Sequence, residues 1–170
     1  MIDRLLDRAA SAIIAVLGLA FIGAVCLNFA NVVGRYAFGR AIFGADEVQT
    51  YVMVWMAFVG AIAVTWRNAH LRMDVLVTSL PRWMRRTLRF TELVLMLATA
   101  GFVFKQSWGY AAQMASMGRR SDAAEIPMAV PHSAVAIGFG AIALIALWRL
   151  ARFFRAGNDD PTGDPAGPRT

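Results

Sequence analysis

Residues 9–34 read AASAIIAVLGLAFIGAVCLNFANVVG, a run without a single charged side chain. About 20 apolar residues in an α-helix, at a rise of about 1.5 Å per residue, cross a hydrocarbon core of about 30 Å. Three further apolar runs of similar length follow, at residues 48–66, 93–117 and 126–148, and only Lys105 places a charge within one of them. The sequence therefore predicts an all-α membrane protein with four transmembrane helices, at about residues 10–33, 48–66, 91–113 and 127–148.

The composition of the whole chain agrees with a membrane protein. Of its 170 residues, 58% are apolar and 16% are charged, and the mean hydropathy is +0.53. A soluble domain is about half apolar and about a quarter charged, so a compact soluble enzyme is excluded. With Cys26 as the one cysteine, neither an internal disulfide nor a cysteine zinc cluster is expected.

The first apolar run also raises the alternative of a cleavable signal peptide. Its apolar stretch is too long for one, and Asp3 and Asp7 interrupt the basic leader that such a peptide needs. We therefore expect the run to stay in the protein as a membrane anchor.

The net charge of +6 comes from basic residues that lie mostly between the apolar runs, so their distribution predicts the orientation of the chain in the membrane. All but Lys105 are arginine, and twelve of the sixteen arginines fall in the N-terminus, the loop after the second run and the C-terminus. The positive-inside rule therefore predicts that both termini and the loop after the second run are cytoplasmic. The basic charge is thus explained by topology, and no role for nucleic acid is expected. The transmembrane domain is expected to cover residues 1–155, followed by a disordered tail at 156–170 that is rich in Pro, Gly and Asp.

A short amphipathic segment precedes the third run. On a helical wheel, its arginines cluster on one side, opposite Trp83, Met84, Leu88 and Phe90. This separation predicts a helix in the membrane surface at about residues 81–90, between the second and third spans, whose arginines contact anionic lipid headgroups. A docking element for a cytoplasmic partner is the alternative. The arginines concerned are Arg82, Arg85, Arg86 and Arg89.

Chemistry inside the membrane is not indicated. Apart from Lys105, the middle thirds of the predicted spans carry no charged residue, whereas transporters that work alone usually do. We find no internal repeat, no nucleophile set and no phosphate-binding loop, so the sequence predicts neither an enzyme nor an independent transporter. Lys105 is the nearest exception, and we expect its ammonium either to reach the headgroups or to pair with a carboxylate of a neighbour.

The two histidines suggest a haem-binding anchor as another alternative. The predicted topology places His70 on the cytoplasmic side and His132 near the outer side, about 20 Å or more apart along the membrane normal. One iron cannot bind both at that distance. We therefore predict no cofactor and no metal site, and treat both histidines as interfacial residues.

Polar residues form a stripe near the end of the first helix. Asn28, Asn31 and Arg35 fall within about 60° of one another, and Asp46 and Glu47 open the second helix across a short loop. We expect Arg35 and Glu47 to approach each other as a structural clamp, with ligand contact as the minority alternative. Small residues at four-residue spacing are expected to let the helices pack closely; they are Ala57, Ala61, Thr65, Ala136 and Gly140.

The segment NVVGRYAFGRAIFGADEVQTYVMVWMAFVGAIAV, from residue 31, resembles the first hairpin of the small membrane subunit (DctQ type) of tripartite ATP-independent periplasmic (TRAP) transporters. HLRMDVL, with His70 and Asp74, and IPMAVP at 126–131 also resemble this family. The similarity extends over about residues 10–150. Gly44 and Ala45 depart from it, since many relatives have Trp just before the acidic pair. The matching hairpin residues are Asn31, Val32, Arg35, Tyr36, Glu47, Tyr51, Trp55 and Gly60.

The resemblance implies a non-enzymatic scaffold within a three-component system. Its partners are a large membrane subunit, which holds the substrate and ion sites, and a periplasmic solute-binding protein. Together they take up organic acids such as C4-dicarboxylates by using an ion gradient. The alternatives are an accessory or assembly subunit of another inner-membrane complex and a small multidrug exporter, although an exporter needs a carboxylate in its first helix. Candidate structural or interface residues are Asn28, Asn31, Arg35, Tyr36, Glu47, Trp55, His70, Asp74 and Lys105.

Overall fold

A computed structural model of the chain describes residues 2–66 and 81–155. Side chains are described from residue 7 onward and, after Pro81, from residue 83. His70, Asp74 and the predicted disordered tail at 156–170 lie outside the described residues.

Four long α-helices make up the described chain: α1 (Ile2–Ala37), α2 (Ala45–Trp66), α3 (Arg82–Ser116) and α4 (Ala129–Arg155). Each of them contains a segment long and apolar enough to cross a membrane. This confirms the prediction of an all-α fold with four membrane-spanning helices. Helices suit this setting because every backbone hydrogen bond within a span is made inside the helix, where lipid offers no alternative.

The amphipathic segment expected at residues 81–90 forms the start of α3. The helix begins at Arg82 and continues without a break to Ser116. The amphipathic segment continues into the span because no glycine or proline, the residues that most readily end a helix, occurs between residues 82 and 100. The position of this segment at the membrane surface stays a prediction.

The helices form an open row. Helix α1 packs on α2, α2 packs on α4, and α4 packs on α3, whereas the remaining pairs make little or no contact. The spatial order is therefore α1, α2, α4, α3. The C-terminal helix, α4, lies between α2 and α3. A closed bundle would require α1 and α3 to meet. Here they are edge helices, each with one principal neighbour.

Two glycines let α4 pack closely on both sides. A Cβ atom at Gly138 would lie 2.9 Å from the Cβ of Phe58 in α2, and one at Gly140 would lie 3.0 Å from the ring of Phe104 in α3. Residues two apart in a helix point about 200° apart, so these glycines face opposite neighbours. Helix backbones in membranes approach most closely where such small residues stand.

The small residues expected at the helix interfaces differ in how deeply they are buried. Thr65 and Ala136 are fully buried, and Ala61 is partly buried. Ala57 is exposed, so its predicted packing role is wrong. In an open row each helix has few neighbours, and four-residue spacing alone does not identify which face a neighbour covers.

The close packing at Gly138 generates a first prediction. Gly138→Val should lower the thermal unfolding midpoint of the purified chain in detergent, because overpacking a tight contact typically costs about 1–3 kcal/mol. Gly18→Val is the matched control, since no atom lies within 4 Å of a Cβ at Gly18. Equal midpoints for the two variants would contradict the close approach of α2 and α4.

Candidate functional site

Polar side chains gather at two places, which we name by their position. The loop end contains the loops at residues 38–44 and 117–128. The terminal end contains the beginning of α1, the end of α2 and the end of α4.

Asn31 is a buried polar residue of the loop end, with 4% of its surface exposed. Its side-chain amide donates to Oδ1 of Asp46 at 3.1 Å, and its Oδ1 accepts a hydrogen bond from the backbone N–H of Ile42 at 2.8 Å. One side chain in α1 therefore holds both the first turn of α2 and the loop that connects the two helices. A buried amide needs such partners, since leaving it unsatisfied costs about 1–3 kcal/mol.

Two neighbours of Asn31 also bond to α2. Asn28 donates to Oε1 of Gln49 at 3.0 Å, and Arg35 forms an ion pair with Asp46 at 3.4 Å. The prediction that Arg35 contacts Glu47 is wrong, because Arg35 pairs with the preceding residue, Asp46. Consecutive helical residues point about 100° apart, so when Asp46 faces α1, Glu47 faces elsewhere. The side chains of Arg35 and Asp46 are 52% and 74% exposed, and pairs this exposed contribute about 0–1 kcal/mol in water.

Glu47 binds the second loop instead. Its carboxylate accepts backbone hydrogen bonds from Ala123 at 3.1 Å and from Ala124 at 2.7 Å. The hydroxyl of Ser121 also interacts with this carboxylate. Glu47 thereby connects the α1–α2 hairpin to the loop between α3 and α4. A carboxylate that accepts several N–H bonds makes a strong, charge-assisted contact.

The second loop has a compact shape that presents these N–H groups. The backbone N–H of Ser121 donates to the carbonyl of Ile126, and the N–H of Met128 donates to the carbonyl of Arg119, both at 2.9 Å. The residues between them form a tight turn in which Glu125 has a positive φ of 53°. This turn directs the N–H groups of residues 123 and 124 towards α2.

Gly44 lies where the two loops meet. Its φ is +76°, and a Cβ there would be 3.0 Å from Cα of Ala124. Both the left-handed backbone and the close contact favour glycine. The departure from the tryptophan expected just before the acidic pair therefore has a local reason, since a large side chain has no room at Gly44.

The contacts of Glu47 generate a second prediction. Glu47→Gln should speed hydrogen–deuterium exchange at Ala123 and Ala124, because the amide NH2 of glutamine cannot accept the N–H bond that the lost oxygen accepted. Exchange is measured by mass spectrometry on a peptide that covers residues 119–128. Asp46→Asn is the matched control and should leave this peptide unchanged. A larger effect from Asp46→Asn would show that the other acidic residue holds the loop.

At the terminal end, Arg149 caps α2. Only 4% of its surface is exposed, and one guanidinium nitrogen, Nη2, lies 2.8 Å from the carbonyl oxygens of both Thr65 and Trp66. The last carbonyls of a helix have no partner within the helix, and a positive charge there also complements the helix dipole. Arg149 therefore satisfies the end of α2 from the neighbouring helix.

Aromatic residues continue this contact across three helices. The indole N–H of Trp66 donates to Asp7 at 2.9 Å, and the rings of Trp66 and Trp148 lie 5.2 Å apart. The guanidinium of Arg152 stacks over Trp148 at 4.2 Å, a favourable cation–π geometry. The sequence reasoning missed this cluster, because it counted Arg149 and Arg152 only as topology signals. The available signal was that Arg149 and Trp66 each end an apolar run on the same predicted side.

Arg149 provides a third prediction. Arg149→Met should destabilise the chain by about 3 kcal/mol or more, since it removes two hydrogen bonds and bonds to a charged group contribute about 1.5–3 kcal/mol each. The measurement is the unfolding midpoint in detergent. Arg155→Met, at an exposed position in the last turn of the same helix, is the control and should change little. If both variants melt alike, the cap does not stabilise α2.

The arginine-rich start of α3 contacts the end of α4. Arg86 lies over the ring of Phe153 at 5.4 Å, and Phe90 packs on the same ring at 6.0 Å. Arg85 and Arg89 are half-buried. Part of the predicted lipid-facing segment is thus occupied by contacts within the chain, while Trp83 is 70% exposed.

The other predicted residues lie away from these clusters. Tyr36 is 83% exposed, Trp55 is partly buried in α2, and Lys105 is exposed on α3. The ring of His132 makes an edge contact with Tyr110 at 4.7 Å. Within residues 2–66 and 81–155, no three His, Cys, Asp or Glu side chains come together in a group that could hold a metal ion.

These features define a class of protein. Four membrane-spanning helices are joined by hydrogen-bonded contacts at both ends, and the polar clusters fasten helices to loops or to one another. The chain is a multi-pass membrane protein in which the described polar clusters connect helices to loops and to one another.

Comparison with known proteins identifies the family. Residues 24–156 match the family described as "Tripartite ATP-independent periplasmic transporters, DctQ component". The chain therefore belongs to the DctQ family, which confirms the resemblance seen in the sequence. Members of this family are non-enzymatic components of membrane transporters, and this chain is a protein of the inner membrane.

Three relatives illustrate the similarity. A putative TRAP transporter small permease protein of Haemophilus influenzae is 35% identical over 48% of this chain and 51% of its own length. The C4-dicarboxylate TRAP transporter small permease protein DctQ of Vibrio cholerae is 34% identical over 53% of this chain and 39% of its own length. The ectoine TRAP transporter small permease protein TeaB of Halomonas elongata is 29% identical over 81% of this chain and 70% of its own length. The matched region thus spans about half, or less, of the first two relatives.

Proposed function

We propose that this chain is the small permease subunit of a TRAP-type secondary transporter. In this role it packs against a large membrane subunit that moves the solute, and a periplasmic solute-binding protein delivers the solute to the pair. The observation that carries the proposal is the family match over residues 24–156. The orientation with both termini in the cytoplasm is part of the same proposal, as is contact of Arg82, Arg85, Arg86 and Arg89 with anionic headgroups.

A scaffold role is supported by where the charges lie. Solute pathways in membranes are lined by ionisable residues that face the interior of a bundle. Here the described helices stand in an open row, which encloses no interior between them. The polar contacts of Asn31, Glu47 and Arg149 connect helices and loops at the two ends of the described helices. A rigid row of this kind gives a moving partner a fixed surface.

The proposed solutes are organic acids such as C4-dicarboxylates. The names of two relatives mention C4-dicarboxylate in one case and ectoine in the other. Because these solutes differ between small subunits of one family, we expect the specificity to reside in the other two components. The small subunit then contributes the assembly and the support of the transporter.

Uptake into proteoliposomes tests this function. Vesicles that contain this chain and the large subunit, with the binding protein and radiolabelled succinate outside, should accumulate succinate when an inward ion gradient is applied. Succinate represents the C4-dicarboxylates, and a panel of other organic acids covers the rest of the class. Omission of this chain should reduce uptake at least tenfold.

Two further vesicle preparations can contradict the proposal. Vesicles that contain this chain alone should accumulate none of the acids, and uptake by them would assign transport to the chain itself. Full uptake in vesicles that lack the chain would remove its scaffold role. Stable purification with a different inner-membrane complex would favour the alternative of an accessory or assembly subunit.

A further inference from the structure

Helix α3 has a polar face that points away from its neighbour. Its buried seam against α4 includes Leu93, Ala100 and Met114, which are 3%, 2% and 7% exposed. Seven residues make nearly two helical turns, so residues at this spacing form columns along the helix. Thr99, Gln106 and Gln113 form such a column, about 100° around the helix from the seam. All three are exposed.

The polar groups of this face are unpaired in the part of the chain that the structure describes. The side chains of Thr99, Lys105, Gln106 and Gln113 make no hydrogen bond or ion pair among the described residues. In the predicted span of residues 91–113, Thr99 and Gln106 lie within about 6 Å of the midpoint, and Gln113 lies at the outer end. Burying an amide or hydroxyl in an apolar medium without a partner costs about 2–7 kcal/mol. Lipid tails offer no hydrogen-bonding partner, so the polar side chains of this face need a partner other than lipid.

The other three helices do not share this feature. Within the described residues their amide and aliphatic hydroxyl side chains have partners in the chain. The amide of Asn28 bonds to Gln49, and the hydroxyl of Ser133 bonds to a backbone carbonyl in its own helix. The exposed surface of α1 is mainly apolar, with Leu19 at 74% and Phe29 at 70%. Among the described residues, the amides and hydroxyls of α1, α2 and α4 thus have partners, whereas the amides of Gln106 and Gln113 on the outer edge of the row have none.

Small residues beside the polar column leave room for a close neighbour. Gly109 and Ala112 are exposed on the same side of α3, and no atom lies within 4 Å of a Cβ at Gly109. Phe102, 66% exposed, lies between Thr99 and Gln106 along the helix and adds a large apolar side chain to this face. Small residues for close approach, together with amides for hydrogen bonds across the gap, characterise helix–helix contacts in membranes.

We propose that this face of α3, defined by Thr99, Phe102, Lys105, Gln106, Gly109 and Gln113, is the docking surface for a transmembrane helix of the large membrane subunit. The inference rests on the proposed function and specifies the surface that performs it. The docked helix presents hydrogen-bonding side chains to Gln106 and Gln113 and a carboxylate to Lys105. Lys105 then neutralises a charge on the partner inside the bilayer, where an ion pair is screened less than at a wet surface.

A steric variant tests the surface without disturbing the fold. Gly109→Trp fills the space that the docked helix would occupy, and no clash within the chain is expected, because the site is open. Gly23→Trp is the matched control: Gly23 is also an exposed helical glycine with nothing within 4 Å of its Cβ, but it lies on α1 at the other edge of the row. Both variants should keep the unfolding midpoint of the unmodified chain.

The readout is capture of the co-expressed large subunit by the tagged chain in mild detergent. Gly109→Trp should lower the captured amount at least tenfold, and Gly23→Trp should leave it unchanged. Normal capture by Gly109→Trp, or loss only in Gly23→Trp, overturns the docking surface while the proposed function stands. Absence of capture by the unmodified chain overturns the proposed function itself.

Photocrosslinking locates the contact independently of stability. A benzophenone amino acid in place of Gln106 should crosslink to the large subunit, whereas the same group in place of Leu19 should not. A crosslink from the Gln106 position to a second copy of this chain would assign the surface to self-association and overturn the inference. Crosslinking to the large subunit only from the Leu19 position would move the docking surface to α1.

Discussion

A hydrocarbon core contains no hydrogen-bonding partner, and this constraint determines where polar groups can stand in the chain. Every backbone group in a span must be satisfied inside its helix, and the exceptions fall at the helix ends, where the last carbonyls and the first N–H groups lack intrahelical partners. Arg149 supplies the missing donors at the end of α2. At the opposite end, Glu47 and Asn31 bind the N–H groups of the loops. The fold is thus fastened at its two ends and packed by apolar contact between them.

The open row follows from how the interior contacts are made. Gly138 and Gly140 stand on opposite sides of α4, so this helix receives a close neighbour on each side and becomes the centre of the molecule. No such pair draws α1 towards α3, and the row does not close. An open row buries less of each helix than a bundle does, and it offers two edges to other membrane components. One edge is apolar and compatible with lipid, whereas the other carries the polar face of α3.

Several particulars were predictable from the sequence and others were not. The apolar runs indicated four helices, and the hairpin residues around Arg35 and Tyr36 indicated the family. The sequence placed the acidic pair correctly at the start of the second helix. The expected partner of Arg35 was Glu47, whereas the ion pair is formed with Asp46. That choice depends on helix rotation, because a difference of one position turns a side chain by about 100°. The cap by Arg149 was also missed, since it joins residues 84 positions apart.

The sequence by itself determined the class, because hydrophobic run length and the spacing of charges respond to the thickness of the membrane, which is a property of the solvent and not of the fold. It also determined the family, because the hairpin and loop motifs are local. Only the tertiary structure decided the order of the helices, the separate tasks of Asp46 and Glu47, and the side of α3 that the described helices leave uncovered. These depend on the rotation and pairing of helices, which arise from contacts between distant residues and cannot be read from local pattern.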